Sequence, residues 1–151
     1  MAVTSCGVFY KNPTSDPAKT SRIKNSHESS GIYTWKRIRI EAIDFKAINY
    51  LTSWTEQSKK MIVNAGKHSV MIRGDFNRKF NDTGPYSSLC LITMSFVPGS
   101  NYQVKGQVED SVMKMWIEDV SSGKPSSEVV KVPYQRMYQA PYIPVYVPPV
   151  R

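Results

Sequence analysis

Long apolar runs are missing from this 151-residue sequence. No stretch approaches the roughly 18 to 20 apolar residues that a helix needs to cross a bilayer. No basic start followed by an apolar stretch forms a complete signal peptide. Histidine and cysteine are scarce, with two of each. Two distant histidines and two distant cysteines do not make a metal site. The cysteines allow at most one disulfide, Cys6 to Cys90. Cys6 lies in a polar arm and Cys90 in an apolar run, so Cys90 reads more simply as a small core hydrophobe. No glycine-bounded serine forms a nucleophile elbow. Asp75, Asn77, Asn81 and Asp82 lie close together, but they lack the alternating ligands and terminal glutamate of a calcium loop. No catalytic residue, metal or cofactor is expected, and the chain reads as a binding protein.

Positive charge is what the sequence has in excess. Lys and Arg number 20 against 12 Asp and Glu, a net charge of +8. Such a balance draws a protein toward nucleic acid, anionic lipid or acidic partners. The cations are scattered, and the nearest thing to a cluster is Lys36-Arg37-x-Arg39. A solvated basic surface is the simplest reading. The length and apolar content suit one domain with one core.

From Gly7 to Ser30 the chain is polar, with Asn12-Pro13 and Asp16-Pro17 as turn signals and no apolar period. Residues 1–31 are expected to be a flexible arm. His27 falls in this arm, where solvent is its expected surrounding. Residues 32–133 then read as a β domain. Ile38, Ile40 and Ala42 alternate with Arg37, Arg39 and Glu41, the period of a half-buried strand. Asp44-Phe45-Lys46 is a turn. Ala47 to Trp54 reads weakly as strand or irregular chain. Met61 to Val63 leads into an Asn64-Ala65-Gly66 turn, and Lys67 to Arg73 alternates again. Gly74 to Pro85 reads as a polar loop. Ser87 to Val97 is apolar on both faces, as a central strand would be.

Val97-Pro98-Gly99-Ser100 carries the type II turn chemistry and predicts a hairpin into the strand at Tyr102 to Val108. Val112 to Val120 and Val129 to Val132 complete the set. About seven strands with regular turn signals and no long helix argue for an all-β antiparallel sandwich or barrel.

After Pro133 the chain becomes rich in tyrosine and proline. Tyr134, Tyr138, Tyr142 and Tyr146 recur every fourth residue, with prolines between them. Residues 134–151 are expected to pack on their own domain or to bind a partner.

Val3-Thr4-Ser5-Cys6-Gly7 resembles the lipobox of bacterial lipoproteins, in which the cysteine becomes the acylated first residue of the mature protein. Three further stretches carry a wider resemblance. Ala65-Gly66-Lys67-His68-Ser69-Val70-Met71-Ile72 is similar to a GxH-x-V motif. Phe96-Val97-Pro98-Gly99-Ser100-Asn101-Tyr102 is similar to a PGxxY turn. Trp116-Ile117-Glu118-Asp119-Val120-Ser121-Ser122-Gly123 is similar to a WIxD strand and turn. Together they resemble small bacterial envelope lipoproteins over roughly residues 38–132.

The resemblance implies a β-sandwich of Ig-like or transthyretin-like type, lipid attachment at Cys6 and a place in the periplasm. Gly7 is compatible with the outer membrane. The implied function is a binding or structural one, as an accessory subunit of an envelope assembly. Its partners would be outer-membrane lipid through Cys6 and a protein through the tyrosine tail or an open sheet edge. The resemblance transfers no catalytic residue.

Two alternatives start from other residues. Tyr33, Trp35 and Lys36-Arg37-x-Arg39 on one strand could form a basic aromatic platform, which would make the chain a soluble basic β-barrel binding nucleic acid or another polyanion. His68 aligns with Val70 and Ile72, and a buried histidine could serve an enzyme of the envelope. The plainer expectation for His68 is a core or rim residue bonded to a carbonyl or to Asp119.

Overall fold

A computed structural model describes residues 9–50, 60–79 and 84–137. These residues are all β, and no helix occurs among them. Twelve strands form two sheets. In chain order they are β1 (Thr20–Lys24), β2 (Ser26–Ser29), β3 (Trp35–Ile43), β4 (Lys46–Ala47), β5 (Lys60–Asn64), β6 (Gly66–Asn77), β7 (Tyr86–Phe96), β8 (Asn101–Val108), β9 (Val112–Asp119), β10 (Lys124–Pro125), β11 (Val130–Pro133) and β12 (Gln135–Arg136).

One sheet runs β12-β7-β6-β3-β2, with β4 hairpinned onto β3. The other runs β10-β9-β8-β1-β5, with β11 also on β9. Among the strand pairs of the described residues only β1 with β8 is parallel. The sheets face each other as a sandwich and do not close into a barrel, so the barrel alternative gives way to two open sheets.

Alternation builds the core. Ile38 and Ile40 of β3, Val70 and Ile72 of β6, and Ile92 and Met94 of β7 are buried. Val104 of β8 and Met113, Met115 and Ile117 of β9 meet them from the other sheet. Each such side chain stabilises the fold by roughly 1.5–3 kcal/mol on leaving water. Two glycines permit the close approach. A Cβ on Gly74 would stand 2.4 Å from Met113 Sδ, and one on Gly106 2.6 Å from Ile38 Cδ1.

Much of the expected arm belongs to the fold where it is described. Residues 20–29 form β1 and β2, which cross from one sheet to the other at Asn25. The sequence hides these strands because only Ile23 among them is a core aliphatic. Thr20, Ser21, Asn25 and Ser26 are buried polar residues. Their burial rests on pairing to β5, β8 and β3 rather than on apolar content.

Asn25 Oδ1 accepts from Ile40 N at 2.9 Å, and Asn25 Nδ2 donates to Tyr50 Oη at 3.0 Å. Tyr50 Oη in turn donates to Ile40 O at 2.6 Å. Ile40 lies past the end of the β2–β3 ladder, whose last pair is Ser26 with Ile38, and beside a bulge at Glu41 in the β3–β6 ladder. Asn25 and Tyr50 thus satisfy a buried backbone that the sheet leaves unpaired.

Three further expectations need correction. Gly74 to Asn77 continue β6 instead of opening a loop, because Gly74 and Phe76 face the core and Asp75 is held by arginines. β7 is buried on one face only: Leu89 and Leu91 are 52% and 44% exposed. The Val97–Tyr102 turn has the expected chemistry, with Gly99 at φ +77° and Ser100 N donating to Val97 O, but it joins no hairpin. It is a corner that carries the chain from β7 in one sheet to β8 in the other. Of the Ala47–Trp54 reading, Ala47 ends β4 and residues 48–50 are irregular, while residues 51–54, like Asn81–Thr83 of the expected loop, lie outside the described residues.

Candidate binding surfaces

His68 is clamped between two elements. Its Nδ1 lies 2.6 Å from Asp44 Oδ2 and its Nε2 2.8 Å from Asn64 O. The expected carbonyl contact is present, while the carboxylate partner is Asp44 and not Asp119. Asp44 Oδ1 also accepts from Ser69 N at 3.0 Å. Partial burial opposes ionisation of Asp44. The His68 hydrogen bond, the Ser69 N–H and the charges of His68 and Lys46 outweigh it and hold the carboxyl below its usual value. Both ring nitrogens of His68 face oxygen acceptors, and its ring edge meets Phe96 at 5.8 Å. With neither nitrogen turned to solvent, the imidazole braces the β3–β4 turn.

The basic strand is neutralised in place. Lys36 pairs with Glu28 at 3.0 Å, Arg37 with Asp75 at 3.4 Å and Arg39 with Glu41 at 2.6 Å. Asp75 is 1% exposed and also takes Arg73 Nε at 2.9 Å. A single-sequence reading sees the cations of β3 but not the carboxylates that β2 and β6 bring to them.

Trp35 and Lys36 line a cavity of about 440 Å³ at one end of the sandwich, with Phe76, Asn77, Arg78 and Gln107. Its lining holds no histidine or cysteine. Arg78 stands over the rings of Tyr86 at 5.1 Å, Tyr134 at 5.6 Å and Phe76 at 6.0 Å.

Tyr134 is engaged within the chain. Its ring packs edge-on to Phe76 and Tyr86, and its hydroxyl donates to Asp110 O and accepts from Arg78. β12 follows and pairs with the start of β7, so the chain from Val130 to Arg136 bridges both sheets. Tyr138, Tyr142 and Tyr146 lie outside the described residues, as does Cys6. Cys90 is a free, buried thiol, which burial and then the Glu128 charge push up to about 11.

A cationic face that sequence reasoning missed lies on the second sheet. Lys24 of β1 stands directly opposite Lys60 of β5, and Arg22 precedes it by one outward position. With Asn101 and Val120 these residues border a hollow of about 320 Å³. Arg22, Lys24 and Lys60 make no ion pair among the described residues. Lys60 comes from a strand 36 residues further along the chain than Lys24, so spacing gives no signal for the pair.

The N-terminal segment enters the fold early. Phe9 forms a parallel bridge with Ala47, and Tyr10 N donates to Ala47 O at 2.8 Å. Tyr10 Oη donates to Ile62 O at 2.6 Å, and Asn12 Oδ1 accepts from Ile62 N at 3.1 Å. These side chains cap the edge of β5, where an unpaired strand would otherwise invite another chain. Burial, then the nearby Asp44 charge, raises the Tyr10 phenol to about 12.

Comparison with known proteins finds no matching family model, no matching curated protein and no matching solved structure.

Proposed function

We propose that this chain is a non-enzymatic binding domain, held at the periplasmic side of the outer membrane by acylation of Cys6, and that it serves as an accessory or structural subunit of an envelope assembly. One observation carries the reading. Phe9, which is already bridged to Ala47, is the third residue after Cys6. Three residues span at most about 11 Å. Acylated Cys6 would therefore hold the sandwich against the bilayer rather than at the end of a long arm. A domain placed that way works by contact.

The finer fold assignment, Ig-like or transthyretin-like, belongs to the same proposal and rests on the motif resemblance. The protein partner is proposed to add along β7. Beyond Ser87 no strand pairs with that edge among the described residues, and Leu89 and Leu91 face outward there. Intact-mass measurement of protein extracted from native membranes tests the anchor. Acyl chains on Cys6, lost in Cys6→Ser, are expected. An unmodified, freely soluble chain would overturn it.

A second reading is favoured by Lys24 and Lys60. Like charges directly opposite on paired strands repel, and an anion between them would relieve the repulsion. Binding of a polyanion on this face predicts salt-sensitive association with heparin or DNA. Lys24→Glu should abolish it, whereas Arg39→Gln on the other sheet should leave it intact.

A further inference from the structure

The β3–β4 hairpin turns through Asp44 and Phe45, with φ of +50° and +63°. Both central residues are left-handed, as the two-residue type I′ turn demands, and glycine or asparagine is the usual choice there. A phenylalanine in this conformation is a strained outlier. Phe45 recovers nothing from burial, being 73% exposed. The turn is nonetheless well held. Asp44 N donates to Ser69 O, Asp44 Oδ1 accepts from Ser69 N, and His68 binds the other carboxylate oxygen. The fold thus maintains a strained aromatic tip in water.

Phe45 is not alone. Phe9, 51% exposed, is bridged to Ala47 two residues after Phe45. The bridge is parallel, so the N-terminal side of Phe9 faces the Lys46 end of β4. In the sequence Cys6 stands three positions before Phe9. Lys11, Lys46 and Lys67 are exposed, and each stands one or two residues from Phe9, Phe45 or His68. Exposed aromatics flanked by lysines match the chemistry of an anionic bilayer surface.

We infer that the Asp44-Phe45 hairpin tip, with Phe9 beside it, is a membrane-contact element that inserts Phe45 into the headgroup region of an anionic leaflet. The inference rests on the Cys6 reading for its orientation. It gives His68 a role that is neither catalytic nor merely filling: His68 is a positioning residue that keeps the tip aimed.

The test uses the full-length Cys6→Ser chain, so that acylation plays no part. Co-sedimentation with phosphatidylethanolamine–phosphatidylglycerol vesicles should show binding that weakens with salt. Phe45→Gly should lower the partition coefficient on the order of tenfold, with a Tm equal to or above that of the parent, because glycine suits φ near +60°. His68→Ala should weaken partition by a smaller factor.

Failure of the Cys6→Ser chain to bind vesicles, or binding unchanged by Phe45→Gly, would overturn the inference. So would a photoreactive residue at position 45 that crosslinks in native membranes to protein and not to lipid. If Cys6 proves unacylated while vesicle binding keeps its dependence on Phe45, the anchor reading fails and this one stands.

Discussion

Asn25 Oδ1 accepts the hydrogen bond of Ile40 N–H at the point where the chain passes from one sheet to the other. Asn25 is 3% exposed, and its own carbonyl accepts from Gln103 Nε2 at 3.1 Å. One side chain therefore ties β3 to the crossing, and through Tyr50 closes a triangle on the β3 bulge.

Asn25→Leu should destabilise the protein by about 2–4 kcal/mol, since it strands a buried N–H and a buried hydroxyl partner. Tyr50→Phe should cost less, about 1–2 kcal/mol, because the ring stays. Urea denaturation midpoints with unchanged slope would check both. A cost for Asn25→Leu below that of Tyr50→Phe would show that the bulge does not depend on Asn25.

Gly74→Ala places a methyl into Met113 and Met115 of the facing sheet. The expected loss is about 1–3 kcal/mol. Part of it should return in the double variant with Met113→Val, which frees the space. Thermal denaturation of the single and double variants measures the coupling. Additive costs would mean that the sheets separate instead of clashing locally.

Acid should weaken the His68 clamp. Asp44 has its folded-state pKa lowered. A lowered carboxyl contributes stability that is complete above its unfolded value, near 3.8, and disappears as pH falls through the folded value. Stability should therefore be flat with respect to this group from neutral pH down to about 5, and fall below. Asp44→Asn should flatten part of that acid limb. The side chain is well exposed, so the contribution is modest and screened by salt.

Tyr134→Ala should destabilise the sandwich by about 3–5 kcal/mol through loss of the ring cluster with Phe76 and Tyr86 and of the bond to Asp110. Tyr134→Phe isolates the hydroxyl and should cost about 1 kcal/mol. Equal stability of all three proteins, with loss of a pulled-down partner, would return Tyr134 to the surface role that its sequence context suggests.

Much of the fold was legible because alternation reports which face of a strand is apolar. β3, β6, β8 and β9 all follow it, and the Pro98-Gly99 turn has the conformation its residues require. β1 and β2 were not legible, because buried Thr20, Ser21, Asn25 and Ser26 are stabilised by pairing and not by hydrophobicity. The exposed side of β7 was misread for the converse reason. Leu89 and Leu91 are apolar but lie outside the core, so composition alone made the strand look buried twice.

The candidate sites divide in the same way. The lipobox resemblance proposed at Cys6 is local, carried by five consecutive residues. The pairing of Arg37 with Asp75, of His68 with Asp44 and of Lys24 against Lys60 joins residues 24 to 38 positions apart. No periodicity encodes such contacts.

By itself the sequence determined the all-β class, the principal strands and a net positive charge. These follow from short-range alternation, turn chemistry and charge count. The tertiary structure alone decided which turns stay within a sheet and which cross between sheets, which cations are neutralised, and that Phe45 stands exposed on a braced, left-handed turn beside the entry of the N-terminal segment. Strand order and register set these outcomes, and both depend on contacts between residues distant in the chain.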